Sequence, residues 1–303
     1  MRCFGQPHVT PRPFLLVCCI TALLAVSLGC AHDDPVAGGL DAGTDAGPGA
    51  SADAGGDAAL LRGPCEALFG RPNARTGLDD VQCQPTCGCD AVPFVARDWD
   101  DASLAALRAY ILAPAADALT SDPYAGAPPV PRPEGEVCAV VVDDLATHTY
   151  HVATFATADA ARTAGAYVTH ADACGACSTL ADLAVYAGTP DLTAPVRDCG
   201  LRAPAFDANV TCLEALGFTH ACAQIWAYNT AHTRDVCGGV CLRLLSAPYH
   251  RPDGTLNDCL ACDEEQSGPV FKAVAGRTRR NSGVASALCR PCSEVPRIEH
   301  AYP

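Results

Sequence analysis

Val137-Cys138-Ala139-Val140-Val141-Val142 is followed by Asp143-Asp144, and then by Thr147-His148-Thr149-Tyr150-His151-Val152-Ala153-Thr154-Phe155. The first run is short, apolar and β-branched. The second alternates, with Tyr150, Val152 and Thr154 on one face. Two such runs around a polar break predict a β-hairpin. Working outward, Thr157 to Gly165 is Ala-rich and opens with Thr157 and Asp159, which predicts a short helix. Tyr167-Val168-Thr169 then predicts a third strand.

Beyond Cys174 the periodicity changes. Leu180, Leu183, Ala184 and Ala187 share one helical face. A second helix follows Asp207 through Val210, Leu213 and Leu216 and stops at Gly217. A third runs from about Thr219 to Thr230, and a fourth from Pro269 to Arg280, ending near Gly283. Upstream of the hairpin, residues 62 to 136 read as irregular. A helix is expected there from Ala102 to Leu119, capped within Asp98 to Ser103 and kinked or ended at Pro114. Asp122 to Pro133 carries five prolines and predicts an extended loop. The expected fold class is α+β: a mainly helical, cysteine-rich, disulfide-stapled domain over residues 62–303 with a small β-hairpin element and a sub-boundary near 122–136.

The net charge of −14 opposes the basic face that nucleic acid requires. It equally opposes an electrostatic grip on anionic lipid. The chain has 20 cysteines. Sixteen of them fall in the domain and are expected to pair: Cys65, Cys83, Cys87, Cys89, Cys138, Cys174, Cys177, Cys199, Cys212, Cys222, Cys237, Cys241, Cys259, Cys262, Cys289 and Cys292. In an oxidising compartment an even set like this reads as up to eight disulfides, and in the cytosol as metal binding.

The N-terminus decides between the two. Arg2 and Arg12 precede an apolar run from Phe14 to Leu28, too short to span a membrane and long enough for a signal-peptide core. The run ends in Ser27-Leu28-Gly29-Cys30, which resembles the lipobox of bacterial lipoproteins, with Ser27 where that family usually has an aliphatic residue. The resemblance implies a signal peptide over 1–29 and a lipid on Cys30. It also implies an outer-membrane or cell-surface address, because Ala31 stands where Asp would favour inner-membrane retention. Residues 30–61 then form an Asp/Ala/Gly tether in which Asp-Ala-Gly recurs at Asp41, Asp45 and Asp53. Such a composition buries too little apolar surface to order itself. The expected partners are therefore a membrane, reached through the anchor, and a protein or small ligand.

Four groups of residues could carry chemistry. Cys174-Gly-Ala-Cys177 opens a helix after a short strand and resembles the CxxC of thioredoxin-like oxidoreductases. The same stretch resembles the papain-type nucleophile region, with His220, His232 or His250 as candidate bases. His170 lies four residues before Cys174. Cys237-x3-Cys241, Cys259-x2-Cys262 and Cys289-x2-Cys292 have zinc-like spacings, yet an oxidising envelope favours disulfides. Lys272, Arg277, Arg279 and Arg280 cluster in an acidic chain. They read either as an anion site or as internal partners of Asp263, Glu264 and Glu265. Trp226, Tyr228, Asn229 and His232 gather aromatic and polar groups on one helix. The familiar hydrolase, nucleotide and zincin motifs are absent, and no cofactor is implied. The reading that results is an envelope-anchored binding or structural domain. A cysteine-dependent enzyme on Cys174 and Cys177 and an anion-binding module on Arg277, Arg279 and Arg280 are the alternatives.

Overall fold

The computed structural model describes residues 63–126 and 133–303. The expected signal peptide, Cys30, the expected tether and part of the proline-rich loop lie outside the described residues. The described residues belong to one compact unit.

The hairpin forms as its pattern predicts. β6 (Val137–Asp144) pairs antiparallel with β7 (Thr149–Phe155), Val140 opposite Val152 and Val142 opposite Tyr150. β8 (Tyr167–Ala171) pairs antiparallel with the other edge of β6. The period of two sends successive β6 side chains to opposite faces. Val140 and Val142 pack with Tyr150 under Leu180, Leu183 and Ala184. Val137, Ala139 and Val141 pack instead on Ala161 of α2 (Ala158–Thr163).

The helix expected over 102–119 is shorter. α1 (Asp101–Ala109) starts at Asp100, whose carboxylate accepts from Ser103 N at 2.8 Å, and ends at an extended Tyr110. A helix continued through Pro114 would drive the ring into the Tyr110 carbonyl and lose a hydrogen bond. The chain instead forms β5 (Ile111–Leu112), which pairs parallel with β7 and completes the sheet order β5-β7-β6-β8.

The second layer is helical. α3 (Leu180–Gly188) is capped by Thr179, whose hydroxyl accepts from Asp182 N at 3.0 Å. Asp182 in turn accepts from Thr219 N at 2.8 Å, which ties α3 to the start of α6 (His220–Arg243). Between them lie α4 (Thr193–Arg202), which the sequence reading missed, and α5 (Phe206–Glu214), closed on each other by Cys199–Cys212. Phe206 begins α5 and Gly217, at φ +103°, follows it. α6 runs well past the expected Thr230, through Gly238-Gly239. Two bridges brace it there against α7 (Asp258–Gln266): Cys237–Cys262 and Cys241–Cys259. Two of the zinc-like spacings are thus helical turns facing each other, and the third, Cys289-x2-Cys292, is bonded instead to Cys83 and Cys87. α8 (Gly268–Ala275) is shorter than expected and stops at Gly276, φ +70°. The core of this layer contains Tyr186, Val210, Leu213, Phe218, Ile225 and Phe271.

The start of the described domain pairs with its C-terminal part. β1 (Leu68–Phe69) lies between β2 (Cys83–Gln84) and β9 (Arg290–Pro291), and β3 (Thr86–Cys87) pairs with β4 (Phe94–Val95). Strands of two residues are too short for a periodic pattern to reveal. Cys83–Cys289 and Cys87–Cys292 lock this corner. Cys138–Cys174 and Cys177–Cys222 complete seven bridges among the described residues, and Cys65 and Cys89 are unbridged thiols. The α+β, disulfide-stapled fold is therefore that of a protein from an oxidising, extracytoplasmic compartment. Among the described residues no helix is long and apolar enough to cross a membrane.

Candidate functional site

α7 separates two polar places, one on each side. On its outer side an open cleft of about 530 Å³ lies between α7, the turn at Gly254-Thr255 and β9. Its charged lining comes from Glu264, Glu265, Arg280, Arg290 and Glu294. Glu264 accepts from Arg280 at 2.9 Å and from both Nη1 and Nη2 of Arg290, and Arg280 also reaches Glu294 at 3.1 Å. These half-buried pairs hold the guanidinium planes still. Burial draws Arg290 downward while Glu264 draws it back up. Glu265 is exposed and makes no ion pair among the described residues. A cleft of this volume is of the size that takes small molecules.

On the inner side a relay joins α6 to the α7–α8 junction. Thr233 Oγ1 donates to Asp263 Oδ1, which accepts a second hydrogen bond from Asn229 Nδ2 at 3.2 Å. Thr233 Oγ1 must then accept from Ser267 Oγ at 2.8 Å, and Ser267 Oγ accepts from His232 Nδ1 at 2.9 Å. The direction follows from the carboxylate, which accepts and does not donate. It places a proton on His232 Nδ1. Tyr124 stacks on His232 with ring centres 4.4 Å apart and donates to Asn229 Oδ1 at 2.7 Å. Burial pushes the Asp263 carboxyl up, and the bonds from Thr233 and Asn229 pull it back. The sequence pattern singled out His232 and Asn229 on one helix, and both belong to the relay. Tyr124, Thr233, Asp263 and Ser267 were missed, because nothing local marks residues brought together from three separate segments.

The other sequence candidates go elsewhere. Cys174 is bonded to Cys138 and Cys177 to Cys222, so the two sulfurs of Cys174-Gly-Ala-Cys177 belong to different bridges and neither is a thiol. His170 is fully buried; its Nδ1 donates to the Ala171 carbonyl at 2.7 Å and its Nε2 accepts from Ser178 Oγ at 2.7 Å. That histidine–serine pair is sealed, since Ser178 is also fully buried. Burial, with Arg277 nearby, holds His170 well below its usual range. His220 is a surface partner of Glu214, and His250 Nε2 accepts from Cys289 N at 3.0 Å.

The basic cluster disperses as well. Lys272 pairs with Asp172 at 3.2 Å. Arg277 is fully buried and donates to the Thr169, Cys177 and Ser178 carbonyls and to the Thr169 and Ser282 hydroxyls. Arg279 donates to the Thr189 carbonyl beside the Tyr186 ring, and burial draws it down to about 10. Only Arg280 reaches the cleft, where Glu264 from the preceding acidic run is its partner. Among the described residues no group of three or more His, Cys, Asp or Glu side chains is arranged to hold a metal ion.

The protein is thus a disulfide-stapled α+β domain with a charged cleft and a half-buried relay. Residues 206–298, under a third of the chain, match a family of unknown function (DUF8771). The matched stretch carries α5 to β9, and with them most of the cleft and the relay apart from Tyr124. No curated protein and no solved structure matches the chain.

Proposed function

We propose that the protein is an exported lipoprotein, held at the outer membrane or cell surface through Cys30, whose stapled domain binds a small polar ligand in the cleft beside α7. The observation that supports binding is the cleft itself: about 530 Å³, with three carboxylates and two guanidinium groups on its walls. One negative charge is left over, and it lies nearest Glu265, so a ligand carrying a cationic group is the complement. The lipobox-like end at Cys30 and the acidic tether support the anchor. A cysteine-dependent activity at Cys174 or Cys177 would first require a bridge to open. An anion site at Arg277, Arg279 and Arg280 would require Arg277 and Arg280 to leave their partners and Arg279, whose Nη1 has no hydrogen-bond partner, to leave its buried place beside Thr189.

The test uses the full exported chain. Cells fed an alkyne-tagged fatty acid should label it, and Cys30→Ala should abolish the label. Melting of the purified protein in the presence of diamines, guanidinium compounds and amino acids should rise with cationic members and fall back in Glu265→Gln. Absence of fatty-acid label would remove the anchor. Absence of any ligand shift would return the domain to a structural role.

A further inference from the structure

Each of the seven bridges includes at least one cysteine with 6 % exposure or less: Cys83, Cys87, Cys138, Cys177, Cys199, Cys237 and Cys259 supply one apiece. The unbridged pair has none, since Cys65 and Cys89 are both half-buried. The fold nevertheless brings these two together. Cys65 is fixed through its carbonyl, which accepts from Ser293 N at 3.0 Å. Cys89 follows two residues after Cys87, which is bonded to Cys292, the neighbour of Ser293. Both cysteines therefore hang from the same corner of the molecule. Cys89 Sγ lies 3.6 Å from the carbonyl of Pro64, the residue before Cys65. It packs on the cluster of Phe69, Cys87 and Cys292.

We propose that Cys65 and Cys89 are a reversible dithiol–disulfide pair, which closes as an eighth bridge where the chain enters the domain and is the first to open under reduction. Closure is an exchange with a disulfide-bearing oxidant. The thiolate of one cysteine attacks a sulfur of the oxidant's disulfide, forming a mixed disulfide and expelling one oxidant thiol. The second cysteine attacks the protein sulfur of that mixed bond, forming Cys65–Cys89 and expelling the other thiol. Two protons and two electrons pass to the oxidant. The Cys65 side chain, with Glu66 and Asp90 close by, pushes the Cys89 thiol up to about 11, which keeps its thiolate scarce and the exchange slow. Each of the seven bridges keeps at least one of its two cysteines buried, and this pair keeps neither.

The experiment is thiol mapping of the full exported chain. Alkylation in denaturant without reduction, followed by peptide mapping, should recover a Cys65–Cys89 linked peptide with neither residue labelled. Brief treatment of the native protein with dilute dithiothreitol before alkylation should label Cys65 and Cys89 first, with the other fourteen domain cysteines unlabelled. Cys65→Ser should leave Cys89 as the single labelled domain cysteine without any reductant. Three results would overturn the proposal: both residues labelled in unreduced exported protein, either one linked to another cysteine, or any of the seven bridges opening first.

Discussion

Arg277 brings a guanidinium into the interior with no carboxylate in contact. Five oxygens from Thr169, Cys177, Ser178 and Ser282 take its place. Removing one side of a buried charged network leaves the other side unsatisfied, so Arg277→Ala should cost about 3–5 kcal/mol, read as a lower denaturant midpoint. His300 belongs to the same interior. Its Nε2 donates to the Ser282 carbonyl at 2.7 Å, and burial, reinforced by Arg277, draws it down from 6.5 to about 3. The folded state therefore stays neutral while the unfolded chain takes a proton. Stability is full above the unfolded value and is lost as pH falls through the window from 6.5 towards 3, at about 1.4 kcal/mol per pH unit for each such histidine. His170 acts in the same sense. Melting temperature should fall with acid over that window, and the slope should flatten in His300→Gln. That comparison isolates the histidine from Asp182 and Asp263, whose upward shifts act in the opposite sense. An unchanged slope would remove His300 from the account.

Two junctions between elements carry the next predictions. The loop of Cys174-Gly-Ala-Cys177 lies directly against the end of α8. A Cβ on Gly276 would meet Gly175 N at 2.5 Å, and Gly276 is at φ +70°. Gly276→Ala combines strain with a backbone clash and should destabilise by well over about 1 kcal/mol, visible as a shifted denaturation midpoint. At the other junction, Ser267 carries the hydrogen-bond relay from α7 to His232 on α6. Ser267→Ala should release the His232 ring, so that its nitrogens shift in ¹⁵N spectra, and should cost about 1–3 kcal/mol for the Thr233 and His232 partners left unsatisfied. A constant ring signal would mean that Tyr124 stacking alone sets the histidine.

For the molecule as a whole, the decisive links are the two longest. Cys83–Cys289 and Cys87–Cys292 span 206 and 205 residues. They lie four residues apart at one end and three at the other, so while one remains, the other closes only a small ring. Loop entropy then assigns about 2–3 kcal/mol to removing either alone and about 5 kcal/mol more to removing the second. Denaturant unfolding of Cys83→Ala/Cys289→Ala, of Cys87→Ala/Cys292→Ala and of the quadruple variant should show this excess. Simple additivity would contradict the picture of a shared clasp.

Local features were legible in the amino-acid order. The hairpin from Val137 to Phe155, the Ala-rich helix after Thr157, the helix stop before Gly217 and the oxidised character of the cysteines follow from side-chain period, turn chemistry and composition. These depend on neighbours within a few residues. Which cysteine meets which, why α6 continues through Gly238-Gly239, why Arg277 is buried, and how Tyr124, His232, Asp263 and Ser267 converge were decided by the tertiary structure. Each of those outcomes is set by contacts between segments distant along the chain, where period carries no information and burial, hydrogen-bond satisfaction and ring closure choose.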